Sequence, residues 1–74
     1  MAQRYLRSEI NRGATQARVY IGENVLPRAE VTRRDGHWHA RCYLTGKALL
    51  PNVPHDKTPL GVFLKELRPV LLGA

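Results

Sequence analysis

Residues 31–44, VTRRDGHWHARCYL, decide how this chain folds. Asp35-Gly36 is a favoured pair for a two-residue hairpin loop, which needs positive φ at both central positions. That loop sets Arg34 opposite His37, Arg33 opposite Trp38, Thr32 opposite His39, Val31 opposite Ala40, Glu30 opposite Arg41 and Ala29 opposite Cys42. Residues opposite one another share a face of the ribbon. One face therefore gathers Ala29, Val31, Arg33, Trp38, Ala40, Cys42 and Leu44. The other gathers Arg28, Glu30, Thr32, Arg34, His37, His39, Arg41 and Tyr43. A slip of one residue would exchange the two faces, so the apolar sorting itself supports the register.

Working outward, ARVYI at 17–21 alternates in the same way. A three-residue loop at Gly22-Glu23-Asn24 would pair Ile21 with Val25, Val19 with Pro27 and Ala17 with Ala29. Arg18 and Tyr20 then join the polar face. Pro27 strains this register, because proline has no N–H to give a central ladder. Downstream, three prolines in LLPNVPHDKTP mark a loop. Thr58 reads as a helix N-cap with Pro59 at the first helical position. Leu60, Phe63, Leu64, Leu67 and Leu71 recur at helical spacing and form one apolar stripe. Pro69 is expected to end or kink this helix. The first segment reads as a short helix with Tyr5, Leu6 and Ile10 inward and Gly13 as its stop; the alternative is a further strand, RYLRSEI.

The fold class is thus α+β: a three-stranded antiparallel meander covered on one face by a C-terminal helix, with a short N-terminal helix in front (α-β-β-β-α). Seventy-four residues make one small domain, 1–74. So short a chain buries a thin core, and a homodimer or a bound partner suits it. One cysteine, Cys42, excludes an internal disulfide and points to a reducing cytoplasm. The opening residues carry no secretory pattern, and no apolar run approaches membrane-spanning length.

The charge is +6, from 12 basic and 6 acidic residues. Nine of the basic residues are Arg, whose planar fork matches phosphates, carboxylates and guanine edges. The face opposite the helix is expected to hold Arg18, Arg28, Arg34 and Arg41, with Tyr20, Tyr43, His37 and His39, against one acid, Glu30, paired with Arg41. A β-ribbon of this kind suits the DNA major groove or single-stranded bases. These eight residues are the expected binding site, for nucleic acid (DNA or RNA) or for an acidic protein surface. No membrane partner, cofactor or enzymatic activity is expected. His37-x-His39 lacks the further converging ligands that a metal site needs.

Three resemblances bear on function. The order DGHWH, Gly46, VPHDK and PLGVFLKEL resembles the HicA-type messenger-RNA-cleaving toxins, which are small dsRBD-like proteins. That resemblance implies RNA cleavage served by His37 or His39. The chain departs from it in having Asp-Gly-His for Gly-Ser-His and Leu-Gly-Val for Gly-Thr-Leu. RRDGHWHARCYLTGK is similar to the hairpins of the three-stranded integrase arm-type DNA-binding domains, with Gly36, Trp38, Ala40 and Arg41 in comparable places. RVYI and RRDGHW resemble the meanders of small phage anti-CRISPR proteins, which implies an inhibitor or adaptor bound to a host protein.

Overall fold

The hairpin of the decisive stretch forms in the expected register. In a computed structural model, which describes residues 5–73, β3 (Ala29–Arg34) and β4 (His37–Cys42) pair antiparallel at all six expected positions. Asp35 and Gly36 carry φ of 52° and 74°, the left-handed pair that a two-residue turn requires. Ala29, Val31, Trp38 and Ala40 are buried on one face, as the alternation predicts. Leu44 is an exception. It lies in the turn beyond β4, is 75% exposed and takes no part in the core.

The strand before this hairpin, β2 (Gln16–Ile21), lies two residues away from its expected register. Ala17 pairs with Val31 and Val19 with Ala29. The connection is residues 22–28, not Gly22-Glu23-Asn24. A shift of two preserves every face and removes Pro27 from the ladder, which explains why this register wins over the shorter loop. Pro27 instead packs, buried, at the foot of the loop. Arg28 N–H donates to the Val19 carbonyl at 2.7 Å and closes the loop.

The N-terminal segment is a strand and not the helix expected. β1 (Leu6–Ile10) pairs antiparallel with β2. Its alternation sends Leu6, Ser8 and Ile10 to the apolar face and Arg7 and Glu9 to the polar one. Asn11 shapes the turn that follows: its Oδ1 accepts from Thr15 N–H at 2.8 Å and Gln16 N–H at 3.0 Å. A strand here pairs the outer N–H and C=O groups of β2, which a helix could not have done. Tyr5, expected inward, is exposed, and its hydroxyl donates to Glu23.

The proline-rich segment is largely loop but contributes one short strand, β5 (Val53–Pro54), beside β4. Among the described residues the sheet therefore has five strands in the order β1-β2-β3-β4-β5, two more than expected. Helix α1 (Leu60–Leu72) crosses its apolar face. Phe63, Leu67 and Leu72 are buried, and Leu60, Leu64 and Leu71 flank them half-buried. Trp38 stacks on Phe63 with centroids 6.4 Å apart and makes a T-shaped contact with His55.

Thr58 is not the N-cap. Pro59 holds that position, with no side-chain cap, while the Thr58 carbonyl accepts the Trp38 indole N–H at 2.7 Å. The buried indole must find an acceptor, and Thr58 supplies its backbone to it. Nor does Pro69 end the helix, which continues to Leu72 and closes at Gly73 (φ 73°), whose N–H donates to the Pro69 carbonyl at 2.8 Å.

Candidate nucleic-acid interface

Because α1 covers one face of the sheet, the polar residues of β1–β4 are left together on the other. The structure brings Arg18, Tyr20, Arg34, His37, His39 and Arg41 onto this face through the strand registers, with Arg28 and Tyr43 where it ends beyond β3 and β4. It also adds Arg7 and Glu9, which the helical reading of the first residues had hidden. The alternation in LRSEI was the signal that would have found them.

The electrostatics of the face differ from expectation in one respect. Glu30 does sit opposite Arg41, but its carboxylate is held by β2 instead. Arg18 Nε lies 3.7 Å from Glu30 Oε2, and Gln16 Nε2 donates to the same oxygen at 3.2 Å. Glu9 is a second acid on the face, engaged by the Tyr20 hydroxyl at 2.8 Å. Among the described residues Arg28, Arg34 and Arg41 have no carboxylate partner, and all three are exposed. Both acids of the face are thus engaged from β2, by Tyr20, Arg18 and Gln16, while the unpaired cations lie on or beside β3 and β4.

Tyr20 is on the expected face, but only 7% of it is exposed. The Arg7 guanidinium covers its ring at 4.5 Å, while Arg7 Nη2 donates to the Asn24 carbonyl at 2.9 Å. The hydrogen bond to Glu9, then burial and the Glu9 charge, push the Tyr20 hydroxyl pKa up. Arg7 ties the 22–28 loop to the sheet, and the ring it covers offers no open surface to a base. Tyr43, in contrast, is exposed just beyond β4, its N–H donating to the Arg28 carbonyl at 3.1 Å.

His37 Nδ1 lies 2.8 Å from the Asp35 carbonyl, and His39 Nε2 lies 3.3 Å from that of Arg34. Both rings are therefore oriented by the hairpin backbone, and neither is hydrogen-bonded to a carboxylate. Among the described residues no three His, Cys, Asp or Glu side chains converge as metal ligands. Cys42 is half-buried. Hydrogen bonds from the Thr45 hydroxyl, then from the backbone of Thr45 and Leu44, lower its thiol pKa.

Val25, expected opposite Ile21 on the apolar face, belongs instead to an exposed apolar feature. Val25 and Leu26, at the tip of the 22–28 loop, are 90% and 69% exposed. With Pro27, Arg28 and Leu44 they line an apolar notch at one end of the cationic face. Among the described residues no helix is long and apolar enough to cross a membrane. Comparison with protein-family models, with curated proteins and with solved structures finds no match for this chain.

Proposed function

We propose that this chain is a small, non-enzymatic nucleic-acid-binding module that lays the uncovered face of its sheet against an anionic strand. What carries the reading is the set of exposed guanidinium groups of Arg28, Arg34 and Arg41, unpaired among the described residues and placed on or beside two adjacent strands on the face that α1 leaves open. They hold phosphates or base edges. Arg18, half exposed and shared with Glu30, adds a weaker cation. His37, His39 and Tyr43 add hydrogen bonds and stacking at the hairpin and at the end of β4, while Tyr20 supports the face from within.

Binding through phosphates weakens steeply with salt, with a slope of about −0.7 to −0.9 per phosphate neutralised. Titrations against duplex DNA, single-stranded DNA and RNA at two salt concentrations test this. Arg34→Ala and Arg41→Ala should each reduce the slope by about one phosphate without loss of fold, and Lys65→Ala on the helix should not. Absence of binding to all three nucleic acids at low salt would falsify the reading.

A second reading is favoured by one observation, the exposed Val25, Leu26 and Leu44 beside Arg28. An apolar notch next to cations suits an inhibitor or adaptor, of the kind encoded by phages and mobile elements, bound to an acidic host-protein surface. A pull-down from lysate with and without nuclease separates the two. Nucleic acid that disappears with nuclease supports the first reading; a stoichiometric protein that survives it, and is lost on Leu26→Asp, supports the second.

A further inference from the structure

The two edges of the sheet are built differently. β5 is two residues long, and Pro51 and Pro54 remove N–H groups from that side. Such an edge resists pairing. β1 is five residues long and contains no proline, and among the described residues nothing pairs with its outer edge. We propose that two copies of this chain pair through β1, antiparallel about a two-fold axis at Ser8, to form one continuous sheet. This association does not depend on the nucleic-acid reading.

The register follows from the ladder. Gly22 N–H donates to the Tyr5 carbonyl, and Asn11 N–H to that of Gln16. In an antiparallel ladder successive residues face alternate sides. Tyr5, Arg7, Glu9 and Asn11 therefore direct their backbone groups to β2, and Leu6, Ser8 and Ile10 direct theirs outward. A second β1 must set outward residues opposite outward residues. Placing Leu6 opposite Ser8 brings Arg7 against Arg7. Placing Ser8 opposite Ile10 brings Glu9 against Glu9. Placing Ser8 opposite Ser8 uses every outward group of both strands and sets Arg7 opposite Glu9 of the second copy, twice by symmetry.

Both charges keep capacity for this. Glu9 uses Oε1 for Tyr20, and Arg7 uses Nε and Nη2 for the loop carbonyls, leaving Oε2 and Nη1. On the apolar face Ile10, 50% exposed, comes to lie beside Leu6 of the second copy. A groove there is lined by Leu6, Ser8, Val19 and Leu64, with Lys65 and Arg68 at its rim. The interface is isologous, as a two-fold dimer requires. A single short edge buries little area, so the dimer should dissociate on dilution.

Sedimentation of the intact chain over a range of concentrations tests the proposal. The expected result is a shift from the 8.4 kDa monomer toward twice that mass as concentration rises. Ser8→Pro removes an outward N–H at the axis and takes nothing from the β2 ladder, so it should stay folded by circular dichroism and remain monomeric. Arg7→Glu or Glu9→Arg alone sets like charges opposite at two places and should weaken the dimer about tenfold. The double exchange R7E/E9R should restore it. Amide exchange supplies a readout that needs no variant: Leu6, Ser8 and Ile10 should gain protection with concentration, while Arg7 and Glu9 are protected throughout. A chain that stays monomeric at its highest soluble concentration overturns the proposal. So does a dimer that persists in folded Ser8→Pro, or one whose concentration-dependent protection falls outside β1.

Discussion

At the scale of single residues, Trp38 joins the sheet to everything packed over it. Its ring stacks on Phe63 and makes a T-shaped contact with His55, and its N–H donates to the Thr58 carbonyl just before α1. Trp38→Ala should destabilise the chain by about 3–5 kcal/mol, close to the whole stability of so small a domain. Trp38→Phe keeps most of the packing but leaves the Thr58 carbonyl without its donor, at about 1–3 kcal/mol. Urea midpoints check both, and native emission should be blue and poorly quenched. Cys42 offers a second residue-scale test. The Thr45 hydroxyl favours its thiolate, so the pH midpoint of its alkylation should lie below that of an unperturbed thiol and rise in Thr45→Val. An identical midpoint in the two proteins would remove the assigned cause. The residue alternation exposed the fate of Trp38, since its face follows from the turn two residues before it. It concealed that of Tyr20, because a position on the polar side of a strand does not reveal that an arginine from a neighbouring strand will cover the ring.

At the scale of elements, the hairpin was legible because local chemistry settles it. Asp35-Gly36 accepts the backbone angles of the turn, and the six pairs follow by counting. β1 and the β2–β3 register were not legible, since both depend on contacts distant in sequence. Residues 6–10 suit either period in isolation, and the edge of β2 selects the strand. Pro27 was a local warning against the shorter loop, and the two-residue shift answers it. In α1 the sequence located the apolar stripe, but the helix tolerates Pro69 one turn before its end. Pro69 denies the Lys65 carbonyl its intrahelical donor and is itself exposed, so it adds little packing. Pro69→Ala should therefore stabilise the protein by about 1–3 kcal/mol, read as a higher urea midpoint with unchanged steepness. A lower midpoint would show that the ring contributes more than its exposure indicates.

At the scale of the whole molecule, charge is divided across the open face. Glu9 on β1 and Glu30 on β3 are each engaged by side chains of β2, and among the described residues Arg28, Arg34 and Arg41 stand unpaired on or beside β3 and β4. Arg18→Ala has a consequence that Arg34→Ala lacks, because it frees the Glu30 carboxylate to repel phosphate. Arg18→Ala should therefore weaken nucleic-acid binding more than Arg34→Ala at low salt, and Glu30→Gln should recover part of the difference. Equal effects of the two arginine variants, measured in the same titration, would mean that Glu30 does not act on the bound strand.

The sequence by itself determined the central hairpin, its two faces, the apolar stripe of the C-terminal helix and the cationic character of the uncovered surface. Each rests on periodicity, or on a turn whose backbone angles only certain residues accept. The tertiary structure decided the number of strands, the partner of Glu30, the covering of Tyr20, the exposure of Leu44 and the free β1 edge. Those outcomes depend on which distant segments compete for the same ladder or the same carboxylate, and spacing along the chain does not encode that competition.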